Sequence, residues 1–268
     1  MEKIGLLAGV GRLPVECARA AQAMGYEVYA VGLLSGVDPE LPAAVTEYAD
    51  INVAKLGRII DYLKKHGVTK VTAIGKVSKE LLMNGRHELP DWRMVKLLLS
   101  LPDHKDDTLM LTFVAALKKE GIELVDQTLL IRPLMPAAGT LTRRAPSENE
   151  RRDMAFGFRM AKEIGRLDVG QTAVVKGMAV MALEAIEGTD ACIRRGGKLA
   201  RGGAVVVKVA KPEQDRRFDV PAVGVTTVES MIEAGATALA IEAEHTLLVD
   251  RAQTIALAEA HDITIVAM

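Results

Sequence analysis

A strand-sized apolar run, Lys3–Ala8, is broken by Gly9-Val10-Gly11, and the residues that follow put Leu13, Cys17, Ala20, Ala21 and Met24 on one helical face before Gly25 ends the pattern. Strand, glycine turn and amphipathic helix in that order commit the opening of the chain to an α/β unit, because the helix must cover the sheet that the strand belongs to. The alternation continues. Residues 27–33 supply a second strand, 56–66 a helix with Leu56, Ile59, Ile60 and Leu63 inward, and Lys70–Ile74 a third strand. These residues predict a Rossmann-like open parallel sheet as the N-terminal domain, over residues 1–132.

Residues 91–119 read as two helical segments closed by Gly121, and 122–125 as a strand. Two prolines and a glycine in Arg132-Pro-Leu-Met-Pro-Ala-Ala-Gly139 then interrupt both periodicities, so residues 133–146 are expected to form a linker. Ser147 and Glu150 have capping-box spacing at the head of a long helix. Beyond it the pattern predicts a hairpin (172–175 and 178–183), helices at 188–200, 227–233 and 251–260, and strands at 204–209, 238–241, 246–249 and 263–266. The expected C-terminal domain, residues 147–268, is therefore α/β with mixed pairing, and it carries the motifs that look catalytic.

Composition narrows the function. With 49% hydrophobic and 26% charged residues the chain is globular, and with only 3% aromatic residues it lacks the stacking surface of a polynucleotide binder. A formal net charge of −1 gives no global field to attract nucleic acid or an anionic membrane, so any basic site is local. Cys17 and Cys192, far apart in helical segments, fit a reducing compartment and small buried apolar roles. No secretory leader or run of about 20 apolar residues is apparent, so the expected location is the cytoplasm.

Three constellations can carry chemistry. The Gly9–Gly11 turn can bring backbone amides to a phosphate, or it can be a tight turn with no ligand; Pro14 stands where a dinucleotide fingerprint needs its third glycine, which disfavours NAD. Lys76 and Ser78, at the end of a strand, can bind a polar substrate or be solvated loop residues. The third is the densest. Glu184, Glu187 and Asp190 surround a helix start, Asp215 and Asp219 lie in a loop closed by Pro221, and Lys208, Lys211, Arg216 and Arg217 stand among them. Such carboxylates suit a hard divalent cation that shares substrate phosphates, and the alternative is a solvated salt-bridge loop. The five histidines lack zinc-site spacing, and no Walker loop, G-x-S-x-G elbow or C-x-x-C is present.

At these motifs the chain resembles the LpxI-type UDP-2,3-diacylglucosamine pyrophosphatases of the lipid A pathway. The resemblance runs nearly end to end, through Gly5-Leu-Leu-Ala-Gly-Val-Gly-Arg-Leu-Pro14, Gly75-Lys-Val-Ser78, Pro90-Asp-Trp92, Asp106-Asp107, Glu184-Ala-Ile-Glu-Gly-Thr-Asp190 and Arg217-Phe-Asp-Val-Pro221. It implies magnesium-dependent hydrolysis of UDP-2,3-diacylglucosamine to 2,3-diacylglucosamine 1-phosphate (lipid X) and UMP, in a cleft between two domains. By motif the essential aspartate is Asp219. The expected catalytic set is Asp219, Asp190, Lys211 and Arg217, and the expected Mg²⁺ ligands are Asp219, Glu187 and Asp190. Substrate is expected at Gly9, Gly11, Leu13, Lys76, Ser78, Gly188, Thr189, Lys208 and Gln214. The expected partner is an amphipathic nucleotide-sugar lipid rather than nucleic acid, with peripheral contact at the inner face of the inner membrane, and the chain a monomer or homodimer. The rival reading is a non-catalytic binder of nucleotide sugars or lipids on the same frame.

Overall fold

The computed structural model describes residues 1–75, 89–101, 106–212 and 220–268, with residues 106 and 107 described by backbone alone. The described residues divide into two compact units, one ending at Ile131 and the other beginning at Arg132.

In the first unit, β1 (Lys3–Ala8), α1 (Leu13–Ala23), β2 (Glu27–Gly32), α2 (Leu56–Lys65) and β4 (Lys70–Ile74) alternate as the apolar periodicity predicts, and β3 (Glu47–Asp50) stands between β2 and α2. Two helices, α3 (Trp92–Leu99) and α4 (Asp106–Lys119), lead to a two-residue β5 (Glu123–Leu124) and the short α5 (Thr128–Ile131). The strands form one wholly parallel sheet in the order β3-β2-β1-β4-β5. The order reverses between β1 and β4, and crevices beyond the carboxyl ends of strands open at such reversals. β3 was not anticipated: Glu47-Tyr-Ala-Asp50 pairs along β2 at the sheet edge and has no buried residue, so it lacks an apolar run.

The second unit begins at Arg132, and its first strand falls within residues 133–146. β6 (Gly139–Thr140) pairs antiparallel with β13 (Thr264–Ala267), and the backbone of Leu141 continues the pairing. After α6 (Glu148–Arg166), β7 (Thr172–Lys176) and β8 (Ala179–Leu183) form the predicted hairpin, with Gly177 and Met178 both at positive φ in its turn. α7 (Thr189–Ala200), β9 (Val205–Lys208), β10 (Ala222–Val223), α8 (Val225–Ala234), β11 (Ala238–Ile241), β12 (Leu247–Leu248) and α9 (Arg251–Ala260) complete the unit. Its main sheet runs β6-β13-β11-β9-β7-β8, parallel at the centre and antiparallel at both sides, with β10 and β12 forming a separate parallel pair. Val174, Val206, Leu239 and Ile265 pack beneath α7, α8 and α9, while Val175, Val205 and Val207 face α6. The central strands are covered on both faces, which is why they read as continuous valine runs rather than alternating ones.

One ion pair fastens the entry to this unit. Arg144 donates to both carboxylate oxygens of Glu150 (2.9 and 3.0 Å), to the backbone oxygen of Thr237 (2.6 Å) and to that of Asp262 (3.0 Å). Glu150 also closes the capping box on Ser147, as its spacing predicts. Burial alone would raise the Glu150 carboxyl, but the Arg144 guanidinium and the Ser147 amide outweigh it and hold the group at about 2, below the ordinary 4.5. A depressed carboxyl adds stability that is fully present above the unfolded pKa and is lost as pH falls through the folded value. Discounted for the solvent the group still meets, the loss is about 1–2 kcal/mol between pH 4.5 and 2. Glu150→Gln should flatten the pH dependence of urea stability in that window, and an unchanged slope would remove the pair from the acid response.

Candidate functional site

In the second unit strand periodicity assembles the site. Val206 on β9, Val174 on β7 and Ala182 on β8 share one buried face. Two residues along each strand, at the sheet edge, the same face carries Lys208, Thr172 and Glu184. All three are buried, with 8%, 0% and 7% of their surfaces exposed. Burying polar groups is costly unless each is hydrogen-bonded. Lys208 donates to the backbone oxygen of Ala222 at 2.8 Å. Glu184 accepts from the Thr189 hydroxyl at 3.0 Å and from the Gln171 backbone N–H at 3.3 Å, and Thr172 reaches Thr189 through a long 3.5 Å contact. Glu184, read from sequence as one of several metal-suited carboxylates, is thus an interior acceptor. The Gln171 side-chain oxygen, beside this row, is buried with no hydrogen-bond partner among the described residues.

The first turn of α7 closes over the row. Gly188 is its N-cap, at φ 80° and ψ 170°, a region essentially restricted to glycine, and it supplies no side-chain acceptor to the open amides of the helix. Asp190 lies in that turn, half-buried, where the helix dipole favours a negative charge. Glu187 is engaged differently. It pairs with Arg195, which also donates to the Leu183 backbone oxygen at 2.7 Å, and this pairing holds the Glu187 carboxyl below its ordinary range. Beyond β9, Lys211 donates to Asp168 at 2.7 Å. A second pair, absent from the sequence reading, supports the same strand exit: Glu242 accepts from Lys162 at 2.7 Å and from the Ala210 N–H at 2.8 Å. Their separation of 80 positions left no local signal to find them by.

The loops at this edge are unusually apolar. Ile186, between β8 and α7, is fully exposed, and Leu167 and Val169, just before β7, are 61% and 51% exposed. The two loops touch, because the backbone of Glu184 leaves no room for a Cβ on Gly170.

In the first unit Gly9 donates its N–H to Ile74 at 2.8 Å and Gly11 bridges to Val37, so the turn is tied to the end of β4 on one side and to the loop after β2 on the other. Gly11 has φ 108°, which excludes most side chains. Leu13 begins α1, Pro14 has no N–H, and the Val15 and Glu16 amides both return to the Arg12 carbonyl. The turn therefore offers an anion few helix-terminal donors. Arg12 pairs with Asp38 (3.2 Å) and Glu40 (3.0 Å), acids that sequence reasoning passed over because they follow β2 in a loop.

Cys17 and Cys192 are buried, and burial pushes each thiol up to about 12, so they are inert packing residues. Lys76, Ser78, Gln214, Arg217 and Asp219 lie outside the described residues. Among the described residues no three His, Cys, Asp or Glu side chains group to hold a metal, and no helix is long and apolar enough to cross a membrane.

Comparison with known proteins is decisive in sequence. Residues 3–134 match the family described as the LpxI N-terminal domain, and residues 137–266 match the LpxI C-terminal domain. The UDP-2,3-diacylglucosamine pyrophosphatase LpxI of Caulobacter vibrioides is 35% identical over 270 residues, covering 97% of this chain and 95% of that protein. Solved structures overlap only loosely. A UDP-glucose-4-epimerase from Stenotrophomonas maltophila aligns with TM-score 0.31 and 11% identity over 46% of this chain and 35% of that one. An N5-carboxyaminoimidazole ribonucleotide synthetase from Thermotoga maritima gives 0.27 and 17% over 59% and 37%.

Because a Cβ on Gly188 would meet nothing within 4 Å, its replacement tests backbone conformation alone. Gly188→Ala should cost about 1–3 kcal/mol in denaturant unfolding. A loss under about 0.5 kcal/mol would mean that the turn adopts another conformation.

Proposed function

The chain belongs to the LpxI family, and from that membership we propose that it hydrolyses the diphosphate of UDP-2,3-diacylglucosamine, giving 2,3-diacylglucosamine 1-phosphate and UMP, in lipid A biosynthesis. The carrying observation is the 35% identity to a UDP-2,3-diacylglucosamine pyrophosphatase over nearly the whole of both chains. Supporting it is the chemistry of the β9 edge. Lys208 and Lys211 follow one another at a strand exit beside a helix start that bears Thr189 and Asp190, a setting suited to phosphoryl oxygens. The exposed Ile186, Leu167 and Val169 give the acyl chains of such a substrate an apolar surface nearby. The glycine turn with Leu13, and Lys76, Ser78 and Gln214, complete the proposed substrate contacts, in a cleft shared by a Rossmann-like first domain and the second.

Asp219 is the proposed catalytic carboxylate, with Arg217 countering charge on the phosphates. Magnesium belongs to the proposal rather than to the described residues. The candidate ligands among them fit it only in part, since Asp190 is available at a helix start and Glu187 would have to leave Arg195. When bound, the ion would neutralise charge at the diphosphate oxygens. Meanwhile Lys208, held in place by Ala222, contributes a fixed positive charge in a largely dry setting, where it acts more strongly than in water. Approach to a diacylated substrate calls for peripheral contact at the inner membrane face, from the cytoplasm. The exposure of Trp92, Leu89 and Leu99 at 75%, 82% and 80% supports such contact.

Incubation with UDP-2,3-diacylglucosamine, with and without Mg²⁺ and in ¹⁸O-labelled water, should release UMP only with the metal and label one phosphate of the two products. Binding without turnover would replace the hydrolase with a binder. Asp219→Ala should abolish UMP release, by at least about 10³-fold, while leaving the circular dichroism spectrum unchanged. Undiminished turnover would exclude Asp219.

A further inference from the structure

Thr189 and Asp190 can serve a substrate only if the turn that carries them is held still, and a single carboxylate is placed to do this. Glu184 directly follows β8, five residues before α7 begins, and its side chain is buried. Its two oxygens receive different donors: the Gln171 N–H from the loop before β7, and the Thr189 hydroxyl from the helix. The strand side of this arrangement is rigid. Thr172 and Lys208 are opposed in the ladder, and the Glu184 N–H itself bonds to the Thr172 backbone oxygen at 2.9 Å.

The direction of the hydrogen bonds follows from the donors. A backbone N–H can only donate, so one Glu184 oxygen must accept from Gln171. Thr189 gives its one proton to the other oxygen, which leaves its lone pairs toward Thr172, and the short chain runs Thr172 to Thr189 to Glu184. We propose that Glu184 is a positioning residue, acting through Thr189 to fix the first turn of α7 with its amides and Asp190 outward and the threonine proton committed inward. This rests on the hydrolase reading above. It changes the part Thr189 plays in that reading: the hydroxyl anchors the turn, and what the turn offers a phosphate is backbone N–H.

Glu184→Gln inverts one bond while keeping volume. The new side-chain oxygen must still accept from Gln171, so its NH₂ group faces Thr189 and donates to the hydroxyl oxygen, and the threonine proton must turn away from this carboxamide toward Thr172. In steady-state UMP release the variant should lose about 10- to 100-fold in kcat with KM within about twofold, the pattern of a misplaced turn rather than lost affinity. In a Thr189→Val background the same change should cost less than about twofold, because the residue it acts through is already gone. Thr189→Ser, which keeps the hydroxyl, should hold at least about tenfold more kcat than Thr189→Val, which removes it. That pair decides the matter even where Glu184→Gln does not fold. Wild-type kcat in Glu184→Gln, full additivity with Thr189→Val, or equal rates for the serine and valine variants would each overturn the role of Glu184. Failure of the wild type to release UMP would instead overturn the hydrolase reading.

Discussion

Burial of β9 on both faces is the constraint from which the second unit is built. Val205, Val206 and Val207 are within 1% of complete burial, so nothing polar can enter the middle of the sheet without an internal partner. Polarity is admitted where the strand ends, and there it arrives as a set: Lys208, Thr172 and Glu184 side by side, with Thr189 above them. The apolar interior thus does two things. It holds the sheet together, and it restricts the charged groups of this edge to one arrangement in which each is satisfied.

The two units treat charge at their strand ends differently. At the first, Arg12 is drawn into Asp38 and Glu40, and its helix spends early amides on its own backbone. At the second, Lys208 donates to the Ala222 backbone oxygen and Lys211 pairs with Asp168, while the cap of α7, Gly188, supplies no side-chain acceptor to the amides of that helix. Charge development on a phosphate is better served by the second arrangement, since fixed donors there cost no reorganisation as the reaction proceeds.

Much of this could be read in the amino-acid sequence because local patterns were strong. Leu56, Ile59, Ile60 and Leu63 fall on one face of α2 and are all buried, and Ser147 and Glu150 close the capping box that their spacing announces. What escaped was decided by distant partners. β3 has no apolar run because it lies at a sheet edge, and β6 has no strand signal because two residues become a strand only against β13. Glu184 stood in the sequence as one acid among several. Its difference from Glu187, three residues on, is that one points into the sheet face and meets a threonine while the other lies outside and meets Arg195. No composition or spacing rule separates them; strand pleat and the entry of α7 do.

β13 lies inside its sheet, between β6 and β11, although it is the final strand along this chain. On a ribosome β6 and β11 emerge first, with β6 on the order of a hundred residues ahead of the strand that must come between it and the rest. Until then the inner edge of β11 stands open, a row of unpaired backbone groups on an apolar sheet. The Arg144 fastening also reaches toward this late strand, through the Thr264 hydroxyl on its backbone oxygen. Synthesis therefore leaves a vacant slot between β6 and β11, filled only when β13 arrives, and a chain that lacked β13 would lose an interior plank rather than a trailing edge.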